Sequence, residues 1–337
     1  MKKSLIALAV LAAASGAAMA QSSVTLFGIV DAAVARVSGT GAHRSGMTNS
    51  GLNSSRLGFR GTEDLGGGMS ASFWLEGALS NDDGNAAGYN FQRRSTVSLN
   101  GGFGEVRLGR DYTPSFWNTT VFDPFGTNGV GQAMTPAMLG APVRNNNSVG
   151  YFLPGNLGGF YGQAQYAFGE QVSNAANSKQ GNYLGARVGF ANGPLNVAFG
   201  TGKLKGATSA ADVKANNLGA SYDFGMVKPM AVWAQEKVGT AKISAFEIGA
   251  TAPLGAGELR AAYSRYNVAN SSTLDWSKAA IGYGHNLSKR TQVYGTLARV
   301  SNKSAQTKAI ANNGLAAVGV AGGGNSSGIE FGVRHSF

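Results

Sequence analysis

The chain has 337 residues, and its 28 lysine and arginine residues outnumber its 17 aspartate and glutamate residues, which gives a formal net charge of +11. It contains 51 glycines and no cysteine, so a disulfide framework is excluded. Mean hydropathy is near neutral at -0.08, and no segment after the N-terminus offers the run of about 18 apolar residues that a membrane-spanning helix needs.

The N-terminus has the pattern of a secretory signal peptide. Lys2 and Lys3 precede an apolar run, and an A-x-A cleavage pattern ends at Ala20. The run, at about ten residues, is too short to cross a bilayer as a helix. We predict that residues 1–20 are cleaved and that residues 21–337 form one β-barrel domain.

Half-apolar strands follow one another along the mature chain. In each, apolar residues alternate with small, polar or charged ones, the period of a strand with one face in an apolar environment. The clearest segments are 56–60, 73–76, 96–99, 106–109, 184–190, 195–199, 218–224, 259–263 and 279–283. A two-sheet sandwich also alternates, but its polar face meets bulk water and rarely needs so many glycines.

Short and long breaks separate these strands. Short turn signals lie near 64–68, 100–104, 154–156, 192–194, 254–257 and 286–289, and longer polar stretches near 38–53, 80–90, 114–145, 169–181, 202–215, 268–277 and 301–327. Short turns at one end and long loops at the other are typical of outer-membrane barrels. The sequence therefore predicts an all-β fold, an antiparallel transmembrane β-barrel of about 16 strands, with an aqueous channel inside.

The chain ends as a strand that alternates strictly from Ile329 to Phe337. Because an unpaired edge promotes association, we expect this strand to close the barrel against the strand near Thr25–Asp31. Its Arg334 falls on the polar, inward face.

The position of each arginine in the alternation of apolar and polar residues, which we call its parity, separates arginines on the inward face of a strand from those on the outward face. An arginine that faces hydrocarbon costs about 2–4 kcal/mol at the bilayer midplane, so the polar face of each strand is expected to face the lumen. The inward arginines are Arg56, Arg94, Arg107, Arg187 and Arg334. Arg110 falls on the outward face, and we interpret it as a subunit-interface residue that pairs with a neighbour's second loop near Asp82 and Asp83. The basic residues are not clustered and an exported chain meets no nucleic acid, so no nucleic-acid partner is expected.

Several segments together resemble the general-diffusion porins of Gram-negative bacteria, in particular the β-proteobacterial subgroup of Burkholderia, Bordetella and Neisseria. They are Ser23–Gly28, Ser55–Gly66, Gly104–Arg110, Arg144–Tyr151 and Gly332–Phe337. The resemblance implies a homotrimer of sixteen-stranded outer-membrane barrels, through which small hydrophilic solutes and ions diffuse passively. It also implies contact with outer-membrane lipid and lipopolysaccharide, and recognition of the terminal Phe337 by the barrel assembly machinery.

The resemblance further implies that a third external loop, residues 114–145, folds into the lumen. Its aromatic residues require burial, and the barrel interior is available. Asp123 matches the constriction-loop segment of the family, which implies that its carboxylate faces the pore. The alternative is that Asp123 caps the following turn.

A basic wall opposite this loop is implied by the same resemblance. Arg56, Arg94 and Arg144 match wall arginines of the family, Arg107 shares the polar face, and Glu76 lies near them. Opposed basic and acidic groups across a narrow water path create a transverse field, and the basic excess predicts a modest anion preference. The alternative is that these arginines are dispersed and satisfied by neighbouring carboxylates.

Signals for enzymatic chemistry are weak. His43, His285 and His335 lie far apart with no metal-ligand spacing, and Gly200–Gly206 lacks the ending of a phosphate loop. We predict no catalytic residue, no metal site and no cofactor. The alternative function is a non-porin outer-membrane barrel, either an adhesin or a hydrolase.

Overall fold

The strands of this protein form one closed sheet. A computed structural model describes residues 23–84, 90–135 and 138–337; the predicted signal peptide lies outside the described residues. The strands are β1 (Ser23–Ser38), β2 (His43–Asn49), β3 (Arg56–Gly66), β4 (Met69–Ala78), β5 (Arg94–Gly101), β6 (Gly104–Tyr112), β7 (Arg144–Phe152), β8 (Phe160–Ala167), β9 (Tyr183–Asn192), β10 (Leu195–Leu204), β11 (Val213–Tyr222), β12 (Lys228–Val238), β13 (Ala241–Leu254), β14 (Gly257–Val268), β15 (Trp276–Asn286), β16 (Thr291–Asn302) and β17 (Asn325–Ser336). A helix, α1 (Pro114–Val121), lies between β6 and β7.

Strands β2 and β3 are two halves of one barrel strand. β2 pairs with the second half of β1, and β3 pairs with its first half. Between them the chain leaves the sheet, because the carboxylate of Asp31 accepts hydrogen bonds from the backbone N–H groups of Leu52 and Asn53 at 2.8 and 2.6 Å. The described residues therefore form a closed antiparallel barrel with 16 strand positions, as predicted. The prediction of a loop over 38–53 was wrong in part, since β2 lies within it.

The barrel closes between its first and last strands. β17 pairs with Ile29–Ser38 of β1, and Gly28 and Phe337 exchange two backbone hydrogen bonds of 3.1 Å. Closure by the terminal strand is confirmed, although the paired segment begins four residues later than predicted. The preceding residues of β1 pair on their other side with β3.

Turns and loops lie at opposite ends of the barrel. The six predicted short turns all join strands at the end of the barrel where β1 begins and β17 ends, and the turn at 223–227 joins β11 to β12 there as well. Most connections at the other end are longer, but β12 and β13 meet there in a tight turn at Gly239, whose φ is 56°. We refer to the two ends as periplasmic and external, following the arrangement of outer-membrane barrels.

The usual distribution of polarity is inverted. Large apolar side chains such as Leu184 and Phe331 point outward and are more than half exposed, whereas the inward carboxylates of Glu247 and Glu330 are fully buried. An apolar outside and a polar inside suit a barrel surrounded by lipid. None of the helices within the described ranges is long and apolar enough to cross a membrane.

The connection between β6 and β7 contacts inward-facing side chains. Thr113 caps α1, and Pro114 occupies its first turn, where no amide donor is required. The helix packs on β9–β11, and further along the connection the N–H of Val130 donates to Glu330 of β17 at 3.2 Å. The connection thus follows the wall from β9 to β17.

Candidate functional site

Three arginines converge on one carboxylate and one phenol at the inner wall. Arg93 Nε lies 2.6 Å from Glu76 Oε1, and Arg56 Nη1 lies 3.5 Å from the same oxygen. Arg93 and Arg144 both donate to the hydroxyl of Tyr112, at 3.2 and 2.8 Å. We call these five residues the Glu76 cluster. It contains three cations and a single carboxylate.

Strand register explains how this cluster forms. Tyr112 ends β6 directly opposite Arg144, the first residue of β7, so the Arg144 guanidinium lies over the Tyr112 ring at 4.2 Å. Such a cation–π contact favours a cation in a fixed position. Glu76 is 6% exposed and also accepts the indole N–H of Trp74 at 3.1 Å.

A second set of charges lies beside the first. Arg107 is bidentate to Glu105, at 2.7 and 2.9 Å, and also donates to Asp111. Arg94 Nε lies 3.8 Å from Asp111 Oδ2. Here two arginines face two carboxylates, so this second set is balanced in charge, whereas the Glu76 cluster carries an excess of positive charge.

The predicted wall arginines Arg56, Arg94, Arg107 and Arg144 are thus brought together on adjacent strands. Arg93 was missed, because it precedes β5 and parity within a strand does not apply to it. The adjacent pair Arg93-Arg94 was the available signal. Because neighbouring side chains at the start of a strand point to opposite faces, two consecutive arginines cannot both face lipid.

The prediction that Asp123 faces the pore was wrong. Its side chain is buried, and its carboxylate turns back into its own loop. There it accepts backbone N–H groups from Phe125 at 2.8 Å, Thr127 at 3.2 Å, and Ala133 and Met134 at 3.3 Å each. Its geometry is that of the alternative, a carboxylate that caps the turn. The four amide donors compensate for the water that the carboxylate loses when it is buried.

Glu76, the acidic residue predicted near the wall arginines, lies among them and pairs with Arg56 and Arg93. Asp123 is the only charged residue between positions 114 and 143, and it is buried. The side chains that this connection leaves partly exposed include Trp117 and Val121. The connection therefore carries no exposed charge that could form the acidic side of the predicted field.

Arg187 has a different role from the wall arginines. Its Nε donates to Asn118 of α1 at 2.8 Å, and its Nη2 donates to Tyr161 at 3.1 Å. Glu236 of β12 similarly accepts the N–H groups of Met138, Leu139 and Ala141 at 3.0, 2.7 and 3.2 Å. These two residues fasten the connection to the barrel.

The residues predicted at a subunit interface have partners within their own chain. Arg110 donates through Nε to the carbonyl of Gln92 and through Nη1 to Asn146. Asp82 accepts from Asn49 Nδ2 at 2.9 Å, and Asp83 lies beside it in the second external loop. In the part of the chain that the structure describes, no three His, Asp or Glu side chains converge as metal ligands.

Comparison with known proteins identifies the family. The profile of the Gram-negative porin family matches residues 7–305. Outer membrane porin protein 32 of Delftia acidovorans is 48% identical over 357 aligned positions, which cover 100% of both chains. An outer membrane porin of Bordetella pertussis is 34% identical and covers 76% of this chain and 74% of its own.

Solved structures agree with this assignment. An anion-selective porin from Comamonas acidovorans has a TM-score of 0.87 at 43% identity, over 94% of this chain and 100% of its own. OmpT of Vibrio cholerae in a trimer form shares the fold, with a TM-score of 0.66 at 17% identity over 94% of this chain and 99% of its own. The chain therefore belongs to the Gram-negative porin family and is a channel of the outer membrane.

Proposed function

We propose that this porin passes small hydrophilic solutes with a preference for anions, and that it works without catalytic residues, metal or cofactor. The observation that carries the proposal is the Glu76 cluster, where three arginines are accompanied by a single carboxylate, while the connection between β6 and β7 has no exposed charge. Rings of arginine or lysine favour anions in pores. The relative from Comamonas acidovorans, at 43% identity, is described as anion-selective.

In this proposal the connection between β6 and β7 narrows the lumen. Because it packs along β9–β17, the water path lies between it and the wall of β3–β7. Anions then pass beside Arg56, Arg93 and Arg144, whose side chains remain partly accessible. Cations meet the same charges as a barrier, since charges beside a narrow path are less screened than charges in bulk water.

The test is the reversal potential of the purified protein in a planar bilayer under a KCl gradient. The triple variant R56Q/R93Q/R144Q should lose most of the anion preference, because the Glu76 cluster would change from net positive to net negative. The control R36Q/R265Q/R299Q removes three outward-facing arginines and should keep it. Unchanged selectivity in the first variant would sink the proposal. An electrically silent native protein would instead favour the adhesin or hydrolase alternative.

We also propose that the chain forms a homotrimer. The outward Arg110 uses Nε and Nη1 within its own chain, so Nη2 can donate to a neighbour's second loop near Asp82 and Asp83. Conductance that appears in steps of three in the same recordings supports the trimer, and steps of one contradict it.

A further inference from the structure

Four lysines stand side by side on the outer surface near the external end of the barrel. Lys203 lies opposite Lys214, Lys214 opposite Lys237, and Lys237 opposite Lys242, on the consecutive strands β10 to β13. Directly opposed side chains on one face of a sheet have Cβ atoms about 4.5–5.5 Å apart. The four lysines, which we call the lysine row, therefore occupy positions that span three strand spacings, or about 14 Å.

Among the described residues, a carboxylate pairs with only one lysine of this row. Like charges directly opposite each other destabilise a sheet. Asp212 is the nearby carboxylate, and it is shared between Lys203 at 2.9 Å and Lys205 at 3.1 Å. Among the described residues, no ion pair forms with the three remaining lysines of the row, which are all exposed. An anion from outside the chain would remove the repulsion.

The surface below the row is layered in the same register. On each strand, the residue two positions from the lysine toward the bilayer centre is polar. These residues form a polar tier of Thr201, Asn216, Gln235 and Ser244. The residue two positions further along each strand, in the same direction, is apolar. These residues form an apolar tier of Phe199, Leu218, Trp233 and Phe246. All four apolar side chains are exposed outward. At about 3.3 Å per residue the lysine row lies about 13 Å beyond the apolar tier.

We propose that the lysine row binds the phosphate groups of lipopolysaccharide in the outer leaflet. Compact ammonium groups match phosphate as point charges. The polar tier offers hydroxyl and amide groups to the sugars that carry those phosphates, and the apolar tier faces the acyl chains. Free phosphate uses neither tier, so the layered surface fits a lipid. The inference depends on the outer-membrane location of the barrel and is independent of its ion preference.

The test compares binding of bisphosphorylated lipid A to the full chain in detergent micelles. The variant K214Q/K237Q/K242Q should bind at least about tenfold more weakly, because each lysine near an anionic lipid surface contributes to attraction. The control K179Q/K228Q/K289Q removes the same charge from other loops and from the periplasmic end. Its affinity should stay within about twofold of the native value.

Three outcomes would overturn the proposal: equal losses in the two variants, equal native affinity for lipid A without its phosphates, or competition by inorganic phosphate as effective as that by lipid A. Single-channel conductance of each variant reports that the barrel is folded. The channel proposal fails separately, since loss of anion selectivity in R56Q/R93Q/R144Q leaves lipid A binding unchanged if the lysine row is the site.

Discussion

The arginines of the lumen are held by aromatic rings as well as by carboxylates. Arg107 lies over the Phe152 ring at 3.9 Å, and Arg187 lies over the Tyr161 ring at 4.8 Å. A guanidinium group suits both contacts because it is planar and presents several donors at fixed angles. The rings therefore restrict where each guanidinium group sits without neutralising its charge.

Asp123 organises its loop, so its replacement by asparagine should loosen that loop. The amide of D123N would direct a donor toward backbone N–H groups that now donate to the carboxylate. Each buried amide left without an acceptor costs about 1–3 kcal/mol. We expect noisier single-channel currents with the barrel still folded. D64N is the control, since Asp64 accepts one exposed turn N–H, that of Gly66, at 2.8 Å; quiet currents from D123N would contradict the assignment.

Asp212 should titrate unusually low. Hydrogen bonds from Lys203, then from Lys205 and the Gly206 N–H, lower its pKa from 3.8 to about 2. Because the pKa is lower in the folded loop, the stabilisation is present above pH 3.8 and is lost as the pH falls through about 2. The amide NMR shift of Gly206 should follow this midpoint, and D212N should abolish the transition. A midpoint near 3.8 would show that the lysines do not hold the carboxylate.

Parity within strands was enough to predict the inward arginines, because lipid strongly disfavours arginine. It could not predict their partners. Glu76 and Arg93 are separated by a whole external loop, and Tyr112 reaches Arg144 only through the pairing of β6 with β7. The rings of Tyr112, Phe152 and Tyr161 lie against guanidinium groups of inward arginines, a set of contacts that strand periodicity does not show.

At the scale of elements, the barrel wall determines the shape of the third loop. Glu236 and Glu330 supply acceptors for loop amides that lie about a hundred or more positions earlier in the chain. Both glutamates alternate with outward residues and were recognisable only as inward polar groups. The loop had to be predicted from its aromatic content and from family resemblance, since a sequence does not show which distant strand offers an acceptor.

The last strand is followed by the terminal aromatic residue, Phe337. Its ring packs on Gly28, where a Cβ atom would lie 2.3 Å from Phe337 Cζ. We propose that Phe337 also marks the chain for the barrel assembly machinery. F337S should lower the amount of folded protein in the outer membrane severalfold while refolding in detergent stays efficient. The control F331S changes an exposed aromatic on the same face of β17; equal losses would assign both effects to lipid contact.

For the whole molecule, alternation and turn spacing were sufficient to predict a closed barrel, because the residues of each strand show that one of its faces is apolar and the other polar. The places on the barrel where charged side chains gather were not predictable in this way. A net charge of +11 includes outward lysines such as Lys214 and Lys237 as well as the inward Glu76 cluster. The structure adds where on the barrel the outward lysines and the inward arginines gather, which parity alone does not give.

This separation leads to a prediction about salt. The Debye length is about 10 Å at 0.1 M salt and about 3 Å at 1 M, so the field of Arg56, Arg93 and Arg144 reaches across a narrow lumen only in dilute salt. The ratio of chloride to potassium permeability should therefore be large near 0.1 M KCl and fall toward the bulk mobility ratio above 1 M. In R56Q/R93Q/R144Q the anion-favouring salt dependence should disappear. A native ratio that stays constant over this range would mean that pore size, rather than these charges, selects the ions.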